Sequence, residues 1–310
     1  MAPGPQIEVP DWCIEVGPEC PVEGTVYGYF PSLGANAFFA AFFGLATIAQ
    51  LVLGIRYKTW TYMIALGLGC LGECIGYVGR VMMHNNPYDE TAFQIQVVLL
   101  IFSPAFLAAG IYLILKHVVI SFGEAWSRLR PAWYTYIFIA CDISSLVLQS
   151  AGGAMAATSD DQDTTDIGTD IMIAGIIWQV VVLAIFGCIV VEYSVRTYRR
   201  RFQLTGTAID LWANIWFKAF CAAVVVAYTG IFVRCVYRIP ELIEGWGGSL
   251  MRKEVDFIVL EGVMIVLTVA AQTVFHPGFC FPALANTIGG KKSSKALSET
   301  DVEMLPPSSQ

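Results

Sequence analysis

The chain has 310 residues, of which 56% are hydrophobic and only 14% are charged, and its mean hydropathy is +0.62. Soluble domains carry about 25% charged residues, so this composition excludes an ordinary soluble protein and indicates a polytopic membrane protein. The net charge of −7 comes mostly from acidic segments between apolar runs, so nucleic acid is not expected as a partner.

Residues 1–33 form an acidic, proline-rich tail without Lys or Arg. The tail lacks the basic start and the apolar core of a cleaved signal peptide, so we expect the first membrane helix to act as the insertion signal. Two of the nine cysteines, Cys13 and Cys20, lie in this tail. We predict that they form a disulfide, because the tail is expected in an oxidising exterior.

Seven apolar runs follow the tail, and each is long enough to cross about 30 Å of hydrocarbon as an α-helix. They cover about residues 34–55, 60–83, 94–116, 132–156, 171–195, 213–236 and 255–276. Strands of a transmembrane barrel would be shorter and would alternate in polarity, so we predict an all-α, seven-helix membrane domain over 34–282. Residues 283–310 are polar and predict a disordered cytosolic tail.

The positions of Lys and Arg predict the orientation of the chain. Of the 18 basic residues, twelve fall in segments on one side of the membrane, three fall in segments on the other side, and three lie within the runs. Because cytoplasmic loops carry the excess of Lys and Arg, we predict that the N-terminus is outside and the C-terminus is in the cytosol.

The second run keeps two charged residues, Glu73 and Arg80, in the sequence LGECIGYVGRVM. They are seven residues apart and therefore share one face of a helix. The adjoining stripe consists of Gly69, Gly72, Gly76 and Gly79. Small residues at this spacing allow a neighbouring helix to approach closely. A charge that faced lipid would cost about 3 kcal/mol or more, so we expect both side chains to point into a protein seam.

Other runs add polar residues that belong to the same candidate site. The candidate ligand-binding residues are Glu73, Arg80, Asp142, Gln149, Gln179, Arg234, Arg238, Glu241, Asp256 and Glu261. One interpretation is a polar cavity that opens outward and binds a ligand. The other is that Glu73, Glu261, Arg80 and Arg234 pair with one another and only fix the packing of the bundle.

Two further features of the runs leave alternatives open. Arg234, Arg238 and Glu241 share one face at the end of helix 6, either as a ligand-binding face or as a water-facing helix end whose charges pair with one another. Pro104 interrupts helix 3, where it would free a backbone carbonyl and bend the helix. The bend would serve as a static packing kink or as a gating hinge.

Eight segments in order carry a family resemblance. They read CPVEGTVYGYFPSLGAN, GECIGYVGR, SPAFLAAGIY, CDISSLVLQSAGG, AGIIWQ, VRCVYRIPELIEGWGG, EVDFIVLEG and FHPG. The chain resembles the fungal lipid-translocating exporter family, the RTA-like proteins, which includes the sphingoid long-chain-base exporter and aminocholesterol-resistance proteins. Phe257 stands where the family pattern has Tyr.

The resemblance implies a multi-pass protein of the fungal plasma membrane that exports amphipathic lipids or toxic lipophilic compounds. It also implies contributions to resistance and to lipid asymmetry, with membrane lipids and an amphipathic small molecule as partners. An ammonium head could bind to Glu73, Asp142 and Glu261, while the seams between helices receive the tail. The sequence does not identify a protein partner.

The sequence argues against two other classes of function and leaves a third open. His84, His117 and His276 fall at opposite ends of the predicted bundle and cannot share one zinc ion, so we expect no metal, no cofactor and no enzyme activity. The segment NTIGGKKSS lacks the first glycine and the Ser or Thr of a phosphate-binding loop, which argues against an ATP-driven pump. A seven-helix, receptor-like sensor or regulator of lipid asymmetry stays open as the alternative function.

Overall fold

The computed structural model of the chain describes residues 13–122, 130–159, 161–203, 207–245 and 247–280. Seven helices in these ranges are long and apolar enough to cross a membrane, and no strand occurs among the residues described. The predicted all-α, seven-helix class is therefore confirmed. The predicted cytosolic tail, 283–310, lies outside the described residues, and so do the first twelve residues of the predicted outer tail.

The membrane helices follow one another with short connections. They are α1 (Leu33–Tyr57), α2 (Trp60–Asn85), α3 (Glu90–Phe122), α4 (Pro131–Thr158), α5 (Gln162–Arg199), α6 (Ile215–Ile243) and α7 (Glu254–Cys280). A short helix, Thr207–Ala213, precedes α6. Most helices extend beyond the predicted apolar runs, since helical turns continue into polar sequence that hydropathy does not count. For example, α5 begins at Gln162 in an acidic segment.

The last membrane helix, α7, is not uniform. It begins as α-helix over Glu254–Phe257, widens to a π-helix over Ile258–Val263, and returns to α-helix over Met264–Val274. A short turn of helix, Pro277–Cys280, follows a break. Inserted π-helical turns are rare and occur frequently at functional sites, and this one contains Glu261.

Helices that are adjacent in sequence pack against each other, and α3 also contacts α6 while α1 contacts α7. The central position belongs to α2 and α3, whose most apolar windows are 61% and 56% buried, whereas those of α1 and α4 are 28% buried. The membrane helices, α2 included, each expose apolar side chains, as expected for faces that contact lipid. Glu73 and Arg80 of α2 are 0% exposed and therefore lie in the protein interior.

Residues 13–32, called the N-terminal segment below, fold over one end of the bundle. The predicted disulfide between Cys13 and Cys20 is present. The Tyr88 hydroxyl donates to the carbonyl oxygen of Pro21 at 2.7 Å, and the backbone N–H of Ser32 donates to the Glu254 carboxylate. These bonds attach the segment to the α2–α3 loop and to the start of α7, the end called the N-terminal end of the bundle below.

Candidate functional site

Two glycines set the close helix contacts from which the buried charges project. A Cβ at Gly79 of α2 would lie 2.9 Å from the Ala92 carbonyl oxygen in α3. A Cβ at Gly230 of α6 would lie 2.4 Å from Thr268 Oγ1 and 2.7 Å from the Met264 carbonyl oxygen in α7. Glycine at both positions lets α2 approach α3 and α6 approach α7, and the second contact brings the charged side chains of α6 and α7 within reach of one another.

Five of the predicted site residues form a chain of alternating charge between α2, α6 and α7. The Arg234 guanidinium lies between two carboxylates, with Nη2 2.8 Å from Glu261 Oε1 and Nη1 3.6 Å from Glu73 Oε1. Arg238 Nη1 lies 3.8 Å from Glu261 Oε2 and 2.9 Å from Glu241 Oε2. This set, Glu73–Arg234–Glu261–Arg238–Glu241, is called the buried charge network below.

The network lies away from solvent. Glu73 and Glu261 are 0% exposed, Arg234 is 1% exposed and Glu241 is 2% exposed. The water-facing helix end considered for Arg234, Arg238 and Glu241 is therefore wrong, although the ion pairs expected there are present. Each network carboxylate has a guanidinium nearby, which offsets part of the cost of burying its charge.

Pro104 also contributes to this network. A proline has no N–H, so the Leu100 carbonyl, four residues earlier in α3, loses its helical hydrogen bond. Arg234 Nη2 donates a hydrogen bond to that Leu100 oxygen. The carbonyl that the sequence predicts to be freed thus binds the central cation of the network.

Arg80 is fully buried but contacts aromatic rings and a hydroxyl. Its Nη2 donates to Tyr29 Oη at 2.7 Å, and its guanidinium carbon lies 3.7 Å from the ring centroid of Phe257 and 4.7 Å from that of Tyr27. Within the residues that the structure describes, no ion pair joins Arg80 to Glu73. The pairing of Arg80 with a carboxylate that the packing interpretation assumed is therefore wrong.

The N-terminal segment supplies two of the groups that hold Arg80. Tyr27 Oη accepts a hydrogen bond of 2.6 Å from Gln96 Nε2 of α3. Burial raises the pKa of Tyr29 to about 12, although the charge of Arg80 acts in the opposite direction, so the Tyr29 hydroxyl stays neutral at pH 7. Two tyrosines thus cover the end of α2 above the charge network.

Gln149 of α4 and Gln179 of α5 meet beside the network. Gln149 Nε2 donates to Gln179 Oε1 at 3.2 Å. Both amides line a cavity of about 20 Å³, together with Arg234, Cys235 and Arg238 of α6. This volume holds about one water molecule, so this cavity, as described, has no room for a lipid head.

The remaining predicted residues lie apart from the network. Asp142 of α4 is buried, and its Oδ2 accepts a hydrogen bond of 2.9 Å from the Tyr112 hydroxyl of α3. Asp256 is half-buried near Tyr237, at the start of α7. In the described ranges, no group of three or more His, Cys, Asp or Glu side chains is arranged to hold a metal ion.

Sequence reasoning missed the aromatic contacts of Arg80 and the hydroxyl that binds Asp142. Tyr27 and Tyr29 lie in the segment TVYGYFP, and their alternation was a usable signal, since both side chains can point towards the bundle. Tyr112 carried no comparable signal. Its pairing depends on the register between α3 and α4, which the sequence alone does not fix.

Comparisons with known proteins agree with the resemblance read from the sequence. Residues 66–284 match the family model described as RTA1 like protein. The sphingoid long-chain base transporter RSB1 of Saccharomyces cerevisiae (strain Lalvin EC1118) is 31% identical over 289 residues, which cover 84% of this chain and 75% of that protein.

Two further relatives from the same species carry other names. Protein RTM1 is 29% identical over 80% of this chain and 79% of its own length. Protoporphyrin uptake protein 1 is 29% identical over 66% of this chain and 65% of its own length. No solved structure matches the chain.

Proposed function

This chain belongs to the RTA1-like protein family, and on that premise we propose that it exports amphipathic, cationic lipids of the sphingoid long-chain-base type. A transporter role for lipids follows from the similarity to the sphingoid long-chain base transporter RSB1 over most of the chain. The cationic substrate class, the plasma-membrane location, the N-terminus-outside orientation, and the contributions to resistance and lipid asymmetry are part of this proposal.

The observation that carries the proposal is the buried charge network inside a seven-helix bundle. Ionisable groups within membrane helices are costly and commonly mark a substrate or ion pathway. The network reaches the cavity beside Gln149 and Gln179 through Arg234 and Arg238. Polar groups from five helices, α2, α4, α5, α6 and α7, therefore converge beside this cavity, where we expect a lipid head to pass.

A sphingoid base has an ammonium head and one long tail, and the two parts need different surroundings. We assign the head to the carboxylates of the interior and the tail to the apolar seams between helices. Together with Arg80, the network holds three guanidiniums and three carboxylates, so its formal charge is balanced. Removing the charge of Glu73 would leave an excess positive charge beside the cavity, which would repel a cationic head.

Reconstitution of the purified protein tests this function. Liposomes that contain the protein and no other component should move a fluorescent C18 sphingoid base across the bilayer faster than protein-free liposomes. Glu73→Gln keeps the size of the side chain and removes its charge, so transport should fall at least about tenfold if the head passes the network. Glu192→Gln, which removes a partly exposed carboxylate on α5, is the matched control and should retain transport.

The outcomes separate three readings. Wild-type protein that moves no sphingoid base in liposomes, yet alters lipid distribution in cells through other proteins, would contradict export and support a sensor or regulator. Transport by the wild type that survives Glu73→Gln would leave the network a packing role only. Loss of transport in Glu73→Gln, with normal expression and normal behaviour on gel filtration, would support the proposal.

A further inference from the structure

One buried carboxylate of the bundle has no cationic partner among the residues that the structure describes. Asp142 is 3% exposed, and its Oδ2 accepts a hydrogen bond from the Tyr112 hydroxyl at 2.9 Å. Its Oδ1 has no hydrogen-bond partner. Within the described ranges, no Lys, Arg or His side chain forms an ion pair with it. Asp142 therefore differs from the three network carboxylates, each of which has a guanidinium nearby.

The groups that face Asp142 from the neighbouring helices are neutral or aromatic. α3 contributes Tyr112, and α6 contributes Cys235, which lies within electrostatic range of the carboxylate. Rings from α4 and α5, Phe138 and Phe186, pack against the Tyr112 ring with centroids 5.5 Å and 4.6 Å away. Tyr228 of α6 packs near Phe186, with ring centroids 6.2 Å apart. None of these side chains supplies a positive charge, and the arginines that line the cavity, Arg234 and Arg238, are paired with network carboxylates.

Asp142 is also connected to the cavity beside the network. Asp142, Ser145 and Gln149 are spaced at i, i+3 and i+7 and all three are buried, so they form one polar stripe on the inner face of α4. Gln149 lines the cavity and lies two helical turns, about 10 Å, from Asp142 along α4. Cys235 lines the same cavity. Gln149 and Cys235 thus lie between the cavity and the neighbourhood of the carboxylate.

An isolated ionised carboxylate is strongly unfavourable in an apolar interior, so it must be neutralised. A proton neutralises it when the site is empty. A cation with hydrogen-bond donors does so when one is bound, because Oδ1 can then accept a bond that it lacks in this structure. The Asp142 carboxyl group is therefore favourable when it carries a proton or when it pairs with a cationic head. It is unfavourable when it has neither, and a protonated carboxyl group does not attract a cationic head.

We propose that Asp142 is a proton–amine exchange site, which carries a proton when empty and releases it when the ammonium head of an amphiphile binds. The carboxylic acid gives its proton to bulk water, and the resulting carboxylate pairs with the ammonium group, so charge and atoms balance. This inference rests on the proposed function and deepens it. Asp142 would select the cation, and a proton gradient would drive the movement of the cationic lipid across the membrane.

Calorimetry on purified protein in lipid nanodiscs tests the exchange. Dodecylammonium is the probe, since it is a long-chain cation whose N–H groups can donate to Oδ1 and whose amine stays protonated over the pH range used. Binding is titrated from about pH 5 to about pH 9 in two buffers of different ionisation enthalpy, and empty nanodiscs correct for partition into lipid. The difference in heat between buffers gives the protons released per bound cation. We expect release of up to one proton at low pH, falling towards zero at high pH.

Variants assign the released proton to Asp142. Asp142→Asn keeps the shape and can still accept the Tyr112 hydrogen bond, but it should release no proton and bind the cation at least about tenfold more weakly. Tyr112→Phe keeps the carboxyl group and should retain proton release, with its midpoint at higher pH because the bond that favours the ionised form is lost. Glu192→Gln should behave as the wild type.

Each result bears on one claim. Binding of the cation by the wild type without proton release at any pH overturns the exchange, while the proposed function stands. Proton release by Asp142→Asn equal to that of the wild type also overturns it, and so does loss of release in Tyr112→Phe with binding intact. Wild-type protein that does not bind dodecylammonium contradicts the proposed function itself.

Discussion

Replacing Arg234 with Gln should destabilise the protein more than replacing Glu261 with Gln. The first change leaves Glu73 without the cation 3.6 Å away, removes the 2.8 Å pair with Glu261, and takes away the donor that binds the Leu100 carbonyl. The second change keeps the Leu100 bond and the contact with Glu73. Arg238, 3.8 Å from Glu261, compensates Glu261 in part when Arg234 is absent.

The expected loss of folding stability follows from these distances. With an effective dielectric constant of about 20, the attraction is about 6 kcal/mol for the pair of Arg234 with Glu261 and about 5 kcal/mol for the pair with Glu73. Desolvation of the buried ions offsets much of this attraction. Removing one partner of a buried pair lowers the free energy of unfolding by about 3 to 5 kcal/mol. We expect Arg234→Gln near the upper end of this range and Glu261→Gln near its lower end.

A double-mutant cycle measures the coupling within the pair. Unfolding of the purified protein in mixed micelles, titrated with denaturing detergent, should give Arg234→Gln and Glu261→Gln a coupling energy of about 2 kcal/mol. The matched control is the pair Glu192 and Arg196 on α5, whose side chains are 35% and 39% exposed. Its coupling should stay below about 0.5 kcal/mol. A coupling for the buried pair no larger than that of the control would refute the reasoning.

Three other predictions test the surroundings of the network. Gly230→Ala should lower thermal stability and transport, because its Cβ would lie 2.4 Å and 2.7 Å from atoms of α7, whereas Gly67→Ala, with nothing within 4 Å, should be neutral or stabilising in the same melt. Arg80→Lys should lower the melting temperature despite the retained charge, since a lysine head cannot stack as a plane on an aromatic ring. Cys13 and Cys20 should react with an impermeant thiol reagent on intact cells only after reduction, and labelling that requires permeabilised cells would contradict the predicted orientation.

The fold was predictable because each membrane helix carries its own signal. Hydropathy and length alone identify seven spans, since every backbone polar group in lipid must be satisfied inside a helix. The first and last residues of the helices were less predictable: α5, for example, begins at Gln162 rather than near residue 171. The π-helical turn over Ile258–Val263 carried no signal in the sequence, because its presence depends on the packing of α7 against α1 and α6.

The charged residues of the buried network could be identified from the sequence. Which of them contact one another was only partly predictable. Opposite charges at similar depth on adjacent helices correctly predicted that Arg234 meets Glu261. One of the two interpretations also paired Arg80 with a carboxylate, whereas Arg80 binds Tyr29 and the ring of Phe257. Depth along a helix is readable from sequence, whereas the direction of a side chain around the bundle depends on helix rotation. The resemblance flagged Phe257 as a departure, and its ring lies directly against Arg80.

The balance of charge determines which carboxylate can attract a substrate. Three guanidiniums and three carboxylates give the network and Arg80 no formal net charge, so an approaching ammonium group gains little there unless it displaces an arginine. Arg234 is held on two sides by carboxylates and on a third by the carbonyl that Pro104 leaves free, which makes such displacement costly. Asp142 has no cation to displace and has one oxygen without a partner. The network is therefore suited to hold the helices in register and to keep the charge beside the cavity balanced as a cationic head passes, while Asp142 is suited to exchange its occupant.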